Sequence, residues 1–170
     1  NHLFLNKKQM GKRPFNQVAY NRCDSPANKI LIQIWKANSR YFPLIDLDEE
    51  LYKTGDAVFT DGKKFIIFEN ETTDAFDRIV NEFRTIHIPI RKQHTPADFY
   101  IVWKPDFKQF ILITKEILDK NRDNIVVDVV CKHERNQNGE YVEDFMDIPK
   151  EETQWYVIGP NYILQKADYE

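Results

Sequence analysis

The stretch TGDAVFTDGKKFIIFENETT, residues 54–73, decides how the rest of the chain is read. Asp61-Gly62 suits a two-residue type I′ turn, in which both central positions need positive φ, and apolar runs flank it: Ala57-Val58-Phe59 before, Phe65-Ile66-Ile67-Phe68 after. The pattern predicts a β-hairpin. With these two residues at the tip, Thr60 faces Lys63 and Asp56 faces Ile67. Side chains alternate along a strand, so Asp56, Ile67, Glu69 and Glu71 are expected on one face. Glu69 then becomes the diagonal neighbour of Asp56 at roughly 7–8 Å, a separation that two carboxylates close onto one divalent cation.

Mg²⁺ and Mn²⁺ are hard ions that take oxygen ligands and keep several waters, so one or two carboxylates with a backbone carbonyl suffice to hold one. Acids gathered on one face repel each other unless a cation lies between them. The competing reading makes Glu69 and Glu71 solvated acids at a fraying strand end and Asp56 an ordinary turn residue.

The segment resembles the core of the PD-(D/E)XK nuclease superfamily, which includes restriction enzymes and Holliday-junction resolvases. That core has an Asp opening one strand, a turn, then acid-x-Lys at the end of the next. Asp56 falls on the first acid, Glu69 on the second, Asn70 is the intervening residue, and Glu71 stands where Lys is usual. In element order the resemblance covers residues 25–115. Gly55 replaces the family's Pro, and Glu71 removes the cation usually placed beside the attacking water, although some members carry a second Glu there. The first helix of the family often adds a Glu; here none precedes Glu49, and Asn28 or Gln33 are the polar substitutes.

The resemblance implies an α/β fold, a mixed central β-sheet flanked by helices, of the restriction-endonuclease-like kind. It implies a metal-dependent DNA endonuclease with Asp56, Glu69 and Glu71 as the catalytic set. Mg²⁺ or Mn²⁺ would be held by Asp56, Glu69 and the Asn70 carbonyl, and Glu71 would orient the water, act as its base or hold a second ion. Duplex or branched DNA is the implied substrate, and a homodimer is implied because such nucleases often pair to cut two strands. Two alternatives stand beside it: a catalytically inactive nuclease-like nucleic-acid-binding module, and a protein-interaction domain.

Composition bounds these readings. A chain of 170 residues, 42% hydrophobic and 14% aromatic, is enough for one folded domain with a real core. Lys7, Lys8, Lys12, Arg13 and Arg22 give the first 22 residues five positive charges and no acid, so residues 1–24 read as a basic N-terminal arm and 25–170 as a single domain. The arm suits a phosphate backbone, and equally a solvated tail. A net charge of −3 argues against a blanket nucleic-acid coat. The chain starts at Asn1 and is expected to be trimmed or part of something longer, with Met10-Gly11 a candidate original start. Cys23 and Cys131 lack zinc spacing and are expected as free thiols. No membrane-length apolar run or signal-peptide pattern is present, so a cytoplasmic location without membrane partners is expected.

Taken in order, Ser25-Pro26 predicts a helix start, against the strand-like alternation of Ile30, Ile32 and Ile34. Asp46, Asp48, Glu49 and Glu50 read as solvated surface. Thr72-Thr73-Asp74 opens a helix with Ala75, Phe76, Ile79, Val80 and Phe83 on one face, and Pro89 demotes residues 86–90 to an edge strand or loop. Arg91-Lys92-Gln93-His94 reads as a solvated loop, with phosphate contact or nucleophile positioning as the sharper alternative. Strands are predicted at 99–103, 110–113, 125–130 and 154–158, a short helix capped by Thr114, and a polar hairpin over 132–144. Tyr100, Trp103, Trp155 and Tyr156 are candidates for base stacking, with core packing the commoner fate. His2, His87, His94 and His133 are scattered, and no glycine-rich phosphate loop or hydrolase triad appears.

Overall fold

The structure, a computed structural model, describes residues 25–38, 57–60, 65–132 and 140–170. The basic arm, Asp56, the acidic connector and the Asp61-Gly62 and Asn138-Gly139 tips therefore lie outside the described residues. Helix α1 spans Ser25–Asn38 and settles the choice between helix and strand at this segment. Pro26 sits in its first turn, where its missing N–H costs nothing. Ala27, Leu31 and Ile34 recur at helical spacing as its buried stripe.

Strands β1 (Ala57–Thr60) and β2 (Phe65–Thr72) pair antiparallel, as the apolar runs predict. The register differs: Thr60 pairs with Phe65 and Val58 with Ile67, so four residues rather than two separate the closing pair. The longer Phe65-Ile66-Ile67-Phe68 run slides along β1 until its apolar side chains meet Ala57, Val58 and Phe59. A shift of two positions preserves which residues share a face. Glu69 and Glu71 therefore stay on one side of β2, and Phe68 and Asn70 on the other.

Helix α2 (Phe76–Asn81) follows directly, with Phe76, Ile79 and Val80 buried and the Thr73 hydroxyl accepting the Ala75 N–H at 3.2 Å. Strand β3 (Thr85–Pro89) then leads to a 3₁₀ turn over Ile90–Lys92 before the chain returns to pair β4 (Phe99–Trp103) parallel to β2. β5 (Gln109–Thr114) pairs antiparallel with β4, and α3 (Lys115–Lys120) follows it. Thr114 occupies the N-cap position of α3, but its side chain makes no capping bond.

β6 (Ile125–Lys132) and β7 (Glu140–Pro149) form the expected hairpin, with β7 far longer than a polar turn region suggests. A bulge between Val126 and Val129 places exposed Asp128 at φ 54°, its N–H donating to the Asp144 carboxylate at 2.8 Å. β8 (Gln154–Ile158) and β9 (Leu164–Ala167) complete the chain.

Two sheets result. One has six strands in the order β1-β2-β4-β5-β8-β9, mixed because β2 and β4 run parallel; the other has three antiparallel strands, β3-β7-β6, with β3 on an edge. The mixed α/β sheet is as expected, but its second face is covered differently. α1 packs on one face with Phe59, Phe68, Ile101, Trp103 and Phe110. The opposite face, through Tyr100, Val102, Ile111 and Ile113, packs on Ile86, Ile88, Met146 and Ile148 of the smaller sheet and on α2 and α3. Because β4 is covered on both sides, its sequence is a continuous apolar run without alternation.

Candidate active site

Glu69 is 4% exposed, against the competing reading of a solvated acid at a fraying strand end. A buried carboxylate is tolerated only with strong partners. Lys92 supplies one: its Nζ donates to Glu69 Oε2 at 2.7 Å. Of the stretch read as a solvated loop, Arg91 and His94 are exposed, whereas Lys92 and Gln93 are half-buried and bonded into the fold, which narrows the sequence expectation.

The placement of Lys92 follows from the local chain. Pro89 lacks an N–H and ends the β3 ladder, and the chain turns at once into the 3₁₀ segment. Gln93 N–H returns to the Ile90 carbonyl at 2.9 Å and Thr95 N–H to the Lys92 carbonyl at 3.2 Å. Gln93 Nε2 donates to the Arg122 carbonyl at 2.6 Å, and the Arg122 guanidinium donates back to the Gln93 carbonyl. On the other side, the Arg91 guanidinium meets the buried Glu143 carboxylate of β7 at 2.6 Å. The turn carrying Lys92 is fastened from two directions, so the ammonium is directed rather than free to wander.

Glu71, two residues along the same face, is partly buried and accepts a hydrogen bond from the Tyr100 phenol through Oε2. The parallel register sets this up: Tyr100 sits beside Glu69, and its long side chain reaches diagonally to Glu71. Burial, then the neighbouring Glu71 and Glu69 carboxylates, push the Tyr100 phenol well above its ordinary ionisation range, with Arg91 acting in the opposite sense. The shift favours the protonated phenol, in keeping with its hydrogen bond to Glu71.

Asn70 points the other way. It is 5% exposed, accepts the Trp103 indole N–H at 3.0 Å and donates to the Asn28 side chain at 2.6 Å. Its side chain is thus committed to α1, and any part it plays on the Glu69 face runs through its backbone carbonyl. Asn28, considered in sequence as a stand-in for a first-helix acid, is spent on the same link. Tyr100 and Trp103 are both core residues, while Trp155 and Tyr156 are half-buried.

Among the described residues near this face, the carboxylates of Glu69, Glu71 and Glu143 are met by Lys92, the Tyr100 phenol and Arg91. Carboxylate oxygens are the donors that Mg²⁺ or Mn²⁺ prefers, and both Glu69 and Glu71 accept from a protein partner through Oε2. In donor type the pair fits such an ion. Among the described residues no group of three or more His, Cys, Asp or Glu side chains is gathered to hold a metal. The third acid of the sequence pattern, Asp56, is outside those residues.

Sequence reasoning did not place Glu143 or Tyr100 in the site, and it raised Arg91 and Lys92 only as the sharper alternative to a solvated loop. The only signal was the basic pair after Pro89, because which strand that pair folds against is a property of the two-sheet packing. Among the described residues no helix is long and apolar enough to cross a membrane. Neither a scan against models of known protein families nor a search of curated proteins returns a match for this chain.

Proposed function

We propose that the chain is a metal-dependent DNA endonuclease of the PD-(D/E)XK type, hydrolysing phosphodiester bonds, with Lys92 in the role left vacant where Glu71 replaces the motif lysine. The Lys92–Glu69 contact of 2.7 Å carries this reading, because it returns an ammonium to the side of the second motif acid from 23 positions further along the chain. Element order supports it in part: a hairpin and a helix directly after the last acid, then, once β3 has left for the smaller sheet, a strand parallel to the one bearing the acids.

Asp56, Glu69 and the Asn70 carbonyl would hold Mg²⁺ or Mn²⁺, which when bound supplies a Lewis acid for the phosphate and lowers the pKa of a coordinated water. Lys92 sets positive charge where a phosphate oxygen gains negative charge during attack. Glu71, with Oε2 held by Tyr100, orients the attacking water and accepts its proton. Glu143 anchors Arg91 and through it the turn that presents Lys92. Nicking of supercoiled and branched DNA in the presence of Mn²⁺ tests the reading. Glu69→Ala should abolish nicking, and undiminished cleavage by that protein sinks the assignment.

The same contact favours a second reading. An ammonium directly on the carboxylate also suits a site that neutralises itself, as in a nuclease-like module that binds nucleic acid without cutting it. That module would show affinity falling steeply with salt and no turnover at any metal concentration.

A further inference from the structure

Tyr100 has a hydroxyl where packing alone asks for none. Its ring lies in the apolar cluster with Ile86, Ile88, Ile111 and Ile113, and the residue is 2% exposed. A phenylalanine would fill the same space without burying a polar atom. The hydroxyl is instead directed at Glu71 Oε2, at the end of β2 where the carboxylate is only partly covered. A charge-assisted bond from a rigid, fully packed aromatic removes rotational freedom that a glutamate otherwise keeps over three side-chain torsions.

We propose that Tyr100 is a positioning residue of this site, its phenol fixing Glu71 in the orientation in which that carboxylate serves the attacking water. The proposal rests on the nuclease reading above. One Glu71 oxygen is occupied as an acceptor, so the carboxylate plane is set by β4, and Glu71 faces the water with the orientation that the fold imposes. Tyr100 itself touches neither substrate nor ion. The proton released by the water goes to Glu71 and not to Tyr100, which is already protonated and held so by burial first and then by its two acidic neighbours.

The test compares wild type, Tyr100→Phe, Glu71→Gln and the double variant, with Mn²⁺ affinity measured by calorimetry without DNA beside the cleavage kinetics. Tyr100→Phe should lower kcat by about 10–100-fold, the range for partners that orient a site group. KM and the Mn²⁺ Kd should stay within about twofold, and the loss should not add to that of Glu71→Gln, because both act through one carboxylate. Wild-type kcat in Tyr100→Phe, or a loss that adds fully to that of Glu71→Gln, overturns the positioning role while leaving the nuclease reading intact. A wild-type protein that neither binds Mn²⁺ nor cuts DNA overturns the nuclease reading itself, and the role of Tyr100 with it.

Discussion

The two faces of β2 carry polar residues at adjacent positions and treat them in opposite ways. On the α1 side, Asn70 joins Trp103 and Asn28 through neutral hydrogen bonds of 3.0 and 2.6 Å. On the other side, Glu69 and Glu71 are served by an ammonium and a buried phenol. Neutral amide and indole groups satisfied by one another fix geometry at small desolvation cost. A buried carboxylate with an ammonium costs more to desolvate and specifies charge as well as position. The contrast teaches that one strand can dock a helix with one face and present chemistry with the next, the division being made by the residue type at alternate positions.

Breaking the charged face should have the largest effect. Lys92→Met keeps the aliphatic stem but removes the ammonium from Glu69, and is expected to destabilise the fold by about 3 kcal/mol. This lies at the low end for a broken buried pair because the Lys92 side chain is 26% exposed. Urea unfolding reads the loss. Glu143→Gln weakens the hold on Arg91 and should cost about 2 kcal/mol, the value of a hydrogen bond to a charged group, with a fall in cleavage because the Lys92 turn loosens. On the neutral face, Asn28→Ala removes the acceptor for Asn70 and should cost about 1 kcal/mol with kcat unchanged. If Asn28→Ala impairs cleavage as much as Glu143→Gln does, the division between the faces fails.

A separate effect is expected in alkali. Burial raises the Tyr169 phenol from 10.0 to about 12, the Thr153 hydrogen bond acting in the other direction, and Tyr100 is raised as well. A raised folded-state value means that the stability contributed is complete below the unfolded value near 10 and is lost as pH climbs toward 12. Ultraviolet titration should therefore show Tyr100 and Tyr169 ionising after the exposed tyrosines. Denaturant midpoints should decline through the same window.

Legibility in the sequence followed the range of the interactions. Local signals read well: the Ser25-Pro26 helix start, the β1–β2 pairing, the helix after Thr73 and the edge character of the Pro89 strand all depend on neighbours within a few positions. The hairpin register did not. Turn chemistry at Asp61-Gly62 favours a tight tip, yet the apolar match of β2 to β1 wins by sliding two positions. Length also misled at β7, whose Glu140–Pro149 sequence intersperses four acids among apolar residues without strict alternation and reads as a hairpin fringe. The face shared by Glu69 and Glu71 was legible because strand alternation survives a shift of two. Lys92 and Tyr100 were not, since one reaches Glu69 by way of a second sheet and the other by a parallel crossover pairing.

The central claim is that Lys92 stands in for the missing motif lysine, and cleavage by Lys92→Met tests it most directly. Supercoiled DNA is incubated with Mn²⁺ and either wild type or the variant, at a temperature where both remain folded. Wild type should show metal-dependent nicking that chelation abolishes, and Lys92→Met a fall of about 100-fold or more, as for loss of a charge-stabilising donor. Nicking by Lys92→Met at the wild-type rate would contradict it.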